Sequence, residues 1–125
     1  MRLLLDTHAL LWWLADSKEL SVDARGAIAD GSNEVVVSAA SAWEVSIKRA
    51  AGKLRAPDDL TNAVEGAHLT PLPITLEHAI RAGALPAHHR DPFDRMLIAQ
   101  ALVEGLTIVT RDPRFEPYGV PLLAA

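Results

Sequence analysis

Apolar residues fall in short runs along this chain, separated by polar and turn-forming stretches. Residues 2–5 contain Leu3, Leu4 and Leu5 and end at Asp6. A continuous apolar run of that length predicts a strand covered on both faces. Asp6 stands where a helix cap belongs, and residues 7–15 predict a short helix. A second helix is predicted over residues 21–30, with Ser21 as its N-cap. Residues 34–37 include Val35, Val36 and Val37, a β-branched set that predicts the next strand. Ser38 then caps a helix running to about residue 51, where Gly52 stops it. On that helix Ala39, Trp43, Ile47 and Ala50 form the apolar stripe, with Glu44 on its border.

The second half repeats the alternation. Residues 57–67 predict a helix with Pro57 near its start. Residues 69–74 predict a weak strand which Pro71 and Pro73 push toward a sheet edge. A short helix follows over residues 75–83. Asp91 and Pro92 suit the N-cap and first position of a long helix that ends near Gly105. Residues 106–110 predict a strand, Asp112-Pro113 a turn, and residues 120–123 a last strand. Strands alternating with helices imply βαβ units and a parallel sheet, hence the α/β class. With 125 residues, no repeats and no linker, the chain reads as one domain spanning 1–125.

Half of the residues are hydrophobic, enough for one core without a covalent staple. The absence of cysteine excludes disulfides, thiolate metal sites and cysteine nucleophiles, and makes a reducing compartment the default. Asp6 and His8 interrupt the N-terminal apolar run, so no signal-peptide core forms. No stretch approaches the roughly 20 apolar residues of a membrane span. The expected location is therefore the cytoplasm, away from membranes. Twelve basic against sixteen acidic residues leave a net charge of −4. That argues against nucleic-acid binding through bulk charge and suits a protein whose acids hold divalent cations.

Parallel sheets bind ligands beyond the carboxyl ends of their strands. Asp6 and Asp112 each follow a predicted strand. Glu44 borders the stripe of its helix, and Asp94 lies in the first turn of the long helix, where a carboxylate meets the positive helix end. Four carboxylates converging from four segments repel one another unless cations intervene. Oxygen ligands without cysteine select hard ions, Mg²⁺ or Mn²⁺. Such ions activate water for displacement at phosphorus, so phosphodiester hydrolysis is the matching reaction class. Each acid also has a structural reading. Asp6, Asp91 and Asp112 fit caps, Asp94 fits an N3 acid, and Glu44 is spaced to pair with Lys48 at i+4. Lys48, Arg90, Arg95 and Arg111 are candidate phosphate contacts. The five histidines are expected at the surface or in packing, with His88 and His89 diverging, and none is an evident general base. Trp12, Trp13 and Trp43 suit a core or an interface.

Four segments resemble the motifs of PIN-domain proteins. They are Asp6-Thr7-His8-Ala9-Leu10-Leu11-Trp12; Ser38-Ala39-Ala40-Ser41-Ala42-Trp43-Glu44-Val45 with Lys48 and Gly52-Lys53-Leu54; Asp91-Pro92-Phe93-Asp94-Arg95-Met96-Leu97-Ile98-Ala99-Gln100-Ala101; and Thr110-Arg111-Asp112. In order they cover nearly the whole chain, and they are most similar to the VapC-type toxin branch. The resemblance implies an α/β/α sandwich around a parallel sheet. It implies Mg²⁺- or Mn²⁺-dependent RNA cleavage with Asp6, Glu44, Asp94 and Asp112 as metal-binding acids, supported by Thr7 and Thr110. Asp94, rather than Asp91, takes the metal role in the third motif. It further implies a homodimer silenced by a cognate antitoxin. Two other acidic-pocket folds fit less well. A phosphoacceptor receiver domain needs paired acids after the first strand and a late lysine, and a dehalogenase-type hydrolase needs Asp-x-Asp. A non-catalytic PIN fold is expected to have lost acids, and here all four are present.

Overall fold

A computed structural model describes residues 1–125. Five strands, β1 (Arg2–Leu5), β2 (Glu34–Ser38), β3 (Thr70–Leu72), β4 (Thr107–Thr110) and β5 (Leu122–Ala124), form one sheet in the order β3-β2-β1-β4-β5. Every neighbouring pair is parallel. Leu4 is centred, aligned with Val36 on one side and Ile108 on the other. The chain moves outward from β1 through β2 to β3, then returns to start β4 on the opposite side of β1. The strand order thus reverses between β1 and β4, and the crevice beyond their carboxyl ends is where such a sheet accepts ligands.

Alternation along each strand divides the core into two. Leu3, Leu5, Val35, Val37 and Val109 face one layer, and Leu4, Val36 and Ile108 the other. The first layer is closed by α1 (Thr7–Leu14), α2 (Val22–Ala29) and, through Val64, α4 (Leu60–Gly66). The second is closed by α3 (Ala39–Ala50), α5 (Leu76–Ala84) and α6 (Pro92–Glu104), with Phe115 from a 3₁₀ helix at Pro113–Tyr118. The result is a three-layer α/β/α sandwich. Leu3, Leu4, Leu5 and Ile108 are wholly buried, and each such side chain contributes roughly 2 kcal/mol of transfer free energy.

Local chemistry sets most boundaries. Asp6, Ser21, Ser38, Asp91 and Asp112 each accept a backbone N–H at a helix start. Gly105 closes α6 with φ +69°, a left-handed conformation that costs glycine little. β3 lies at the sheet edge, as its prolines require. Two expectations need correction. The helix predicted from residue 57 begins later because Asp59, not Pro57, supplies the cap. The face assigned to α3 is also reversed. Ala40, Ser41, Glu44 and Val45 are buried, whereas Trp43 is 61% and Ile47 47% exposed. No helix is long and apolar enough to cross a membrane.

Candidate active site at the sheet crevice

Asp6 emerges from β1 at the reversal point. Its backbone N–H donates to Val109 O of β4 (3.1 Å), and its Oδ1 accepts the Ala9 N–H (2.8 Å). The carboxyl is nearly buried, at 8% exposure. Burial pushes its pKa up, and the nearby Asp112 charge adds to that, although hydrogen bonds from Thr110 and Ala9 pull the other way. Its capping contact and its place at the strand ends therefore coexist at this residue. Thr110, at the end of β4, also accepts the Asp112 N–H on its Oγ1 (3.1 Å).

Glu44 is carried inward by the buried face of α3. Thr7, the first residue of α1, donates from Oγ1 to Glu44 Oε1 at 2.5 Å and stands 3.2 Å from Ser41 Oγ. The other oxygen, Oε2, takes the ammonium of Lys48 one turn later. The i+4 pairing read from the sequence thus exists, and it holds a carboxylate that is 5% exposed.

Asp91 caps α6 by accepting the Asp94 N–H on Oδ1 (3.0 Å). Asp94 lies inside the first turn, its Oδ2 2.7 Å from His89 Nε2. The Asp94 pKa is raised to about 6: burial is the main cause, Asp91 and Glu44 add to it, and the His89 hydrogen bond pulls it down. Asp112 has the opposite balance. Arg114 donates to both its oxygens, at 2.7 to 3.1 Å, and holds its carboxyl below the ordinary range.

The ring nitrogen of His89 and the carboxylate oxygens of Asp94 and Asp112 lie within 4.8 Å of one another. Asp6 and Glu44 are outside that cluster but within electrostatic reach, Asp6 feeling Asp112 and Asp94 feeling Glu44. The donor set is therefore carboxylate oxygens with one imidazole among them. Two buried acids, Asp6 and Asp94, are left with raised pKa values in this arrangement. Hard divalent cations suit such donors and relieve such crowding.

The basic residues divide. Arg95 donates to four backbone carbonyls, those of Ala82, Leu85, Pro86 and His89, at 2.9 to 3.1 Å. Its guanidinium serves the protein's own backbone, not a phosphate. Arg111 lies over the Trp12 ring at 4.2 Å and donates to Ala125 O and to Glu19. Lys48 is engaged with Glu44. Arg90 is exposed and makes no hydrogen bond, which leaves its charge available.

Two neighbours of the acids were not singled out by the sequence. Arg114 is signalled only by its spacing, two residues after Asp112. His89 is buried at 3%; packing was anticipated for it, contact with Asp94 was not. His88 diverges from it, as expected, and stays exposed against Tyr118.

Comparison with known proteins gives a consistent picture. Residues 3–120 match the family profile described as PIN domain. The chain is 33% identical over 123 residues to Ribonuclease VapC22 of Mycobacterium tuberculosis, covering 94% of this chain and 92% of that one. Its fold resembles a solved VapBC2 from Rickettsia felis bound to a promoter DNA fragment, with TM-score 0.72, 13% identity and 98% of each chain covered. It also resembles a DNA-bound VapBC from Salmonella typhimurium, with TM-score 0.72, 23% identity and 98% and 97% covered.

Proposed function

The chain belongs to the PIN domain family, and from that membership we propose that it is a divalent-cation-dependent ribonuclease, the toxin of a toxin–antitoxin pair. The observation that carries this reading is the crowding of Asp6, Glu44, Asp94 and Asp112 at the sheet reversal, with Asp6 and Asp94 both shifted toward their protonated forms. A divalent cation among these oxygens would favour the ionised forms that burial, and to a lesser extent the neighbouring acids, disfavour at Asp6 and Asp94. The relative named as a ribonuclease supports the substrate class.

Asp94 and Asp112, whose oxygens lie within 4.8 Å of each other, are the acids best placed to hold Mg²⁺ or Mn²⁺, with Asp6 and Glu44 beside them completing the proposed metal-binding set. When bound, the cation supplies water activation and charge neutralisation at phosphorus. The chain's own residues do the rest. Thr7 and Lys48 fix both oxygens of Glu44. Thr110 ties Asp6 to the start of the Asp112 turn. Arg90 offers the RNA backbone a free guanidinium. The resemblance to VapBC assemblies supports a cognate antitoxin as partner. Exposed Trp43 and Ile47 on α3, with Leu76 and Ile80 on α5, give a homodimer or antitoxin apolar surface to cover.

The test is cleavage of a mixed RNA pool by antitoxin-free protein, with Mg²⁺ or Mn²⁺ and with EDTA, beside Asp6→Asn. Cleavage confined to the cation-loaded wild type is the expected result. Equal cleavage by folded Asp6→Asn would overturn the assignment of the site.

A further inference from the structure

The segment linking α5 to α6 has no regular structure between residues 85 and 91, yet it is held from three sides. Arg95 donates to the carbonyls of Leu85, Pro86 and His89, and to Ala82 at the end of α5. Tyr118 Oη accepts the His89 N–H and donates to Pro86 O, both at 2.8 Å. The His89 ring packs edge-on against buried Phe115, centroids 6.1 Å apart. Two elements, α6 and the 3₁₀ helix, thus fix the backbone around His89, and Phe115 packs on the imidazole itself. That imidazole presents Nε2 to Asp94 Oδ2 at 2.7 Å.

We propose that His89 is a positioning residue for Asp94: its Nε2–H holds Oδ2, fixes the rotamer of the carboxylate and leaves Oδ1 directed at the crevice. The inference rests on the ribonuclease reading for what Asp94 faces. The geometry follows a general pattern in which ligating carboxylates are oriented by hydrogen bonds from groups that do not themselves bind the ion. It also gives the Arg95 clamp a purpose. A guanidinium spent on four carbonyls is a large commitment for an irregular connection, unless that connection must be held rigid.

Substitution separates a donor role from packing. Glutamine carries its amide nitrogen the same number of bonds from Cβ as histidine Nε2; asparagine is one bond short; leucine fills space without a donor. Mn²⁺ binding, read by electron paramagnetic resonance of the free ion, and steady-state RNA cleavage are measured for wild type, His89→Leu, His89→Asn and His89→Gln. Thermal melts verify that each is folded. Loss of an orienting partner costs about 10- to 100-fold in metal affinity or activity. That loss is expected for the leucine and asparagine variants, in Mn²⁺ affinity and kcat with KM for RNA little changed, and glutamine should restore most of it. A folded leucine variant with wild-type Mn²⁺ affinity and kcat would overturn the proposal, as would a glutamine variant no better than leucine. Should leucine and asparagine both fail to fold, Tyr118→Phe, which frees the His89 backbone, must weaken Mn²⁺ binding for the proposal to stand. A wild type that binds no Mn²⁺ would overturn the ribonuclease reading and this inference together.

Discussion

Thr7 and Glu44, 37 positions apart in sequence, meet at 2.5 Å and join the first turn of α1 to the centre of α3. Both are buried, and the remaining partner of the Glu44 carboxylate is Lys48. Thr7→Val keeps the shape and removes the donor. Leaving a buried acceptor short of a partner costs about 1–3 kcal/mol. Urea denaturation should show a loss of that size for the valine variant and near wild-type stability for Thr7→Ser. Equal stability of all three would mean that Lys48 alone satisfies Glu44.

A pH prediction follows from Asp94. Folded, it keeps its proton to about pH 6, against an ordinary value of 3.8. Between those values the folded state binds a proton that the unfolded state has released, so the cation-free fold loses stability as pH rises through that window. Asp6 acts in the same direction through burial. Asp112 acts oppositely, since Arg114 lowers its pKa; the stability it contributes is present above about pH 4 and fades in more acid solution. The Asp94 contribution is at most about 3 kcal/mol. Denaturation in EDTA at half-unit steps from pH 4 to 7 should give Asp94→Asn a growing advantage over wild type up to about pH 6, then a constant one. An advantage that does not change with pH would show that Asp94 titrates as an ordinary carboxylate.

Much of this was legible because caps and stops are local. Asp6, Ser21, Ser38, Asp91 and Asp112 each sit immediately before a helix they cap, and Gly105 ends the long one. Asp6 and Asp112 could be brought together from sequence because both follow strands of one parallel sheet; Glu44 and Asp94 lie on helices, and their candidacy leaned on the motif resemblance. The phase of α3 was not legible. Periodicity tells which residues share a face, and Ala39, Trp43, Ile47 and Ala50 do share one, but all four are exposed. The inward face holds Ser41 and Glu44, whose burial depends on Thr7 and Lys48 rather than on hydropathy. His89 was hidden for a different reason. It lies in an irregular connection, where no period predicts which of two adjacent histidines turns inward. Arg95 has the sequence appearance of a phosphate ligand, and only the bend of residues 82–89 around it reveals its task.

Arg95 and Arg90 should accordingly respond in opposite ways. Arg95→Lys replaces a planar fork by a point charge and strands several carbonyls. Its cost should be about 2 kcal/mol or more in urea denaturation. Arg90→Ala should leave stability within about 0.5 kcal/mol and raise KM for RNA, more so at low salt, as expected for a phosphate contact. If Arg90→Ala lowers stability and leaves KM untouched, Arg90 has a structural role instead.

The exposed face of α3 yields the last expectation. Trp43 lies edge-on to Phe93, centroids 5.2 Å apart, and Ile47 follows one turn later. Large apolar side chains at 61% and 47% exposure on one helix face carry a solvation cost in the isolated chain that a partner surface removes. A homodimer that uses this face should dissociate in Trp43→Ser/Ile47→Ser at concentrations where wild type stays associated. Because neither side chain supports the core, the double variant should melt as a folded monomer rather than collapse. Sedimentation equilibrium of the two proteins, free of antitoxin, checks this. A double variant that sediments as the same dimer as wild type would move the interface elsewhere.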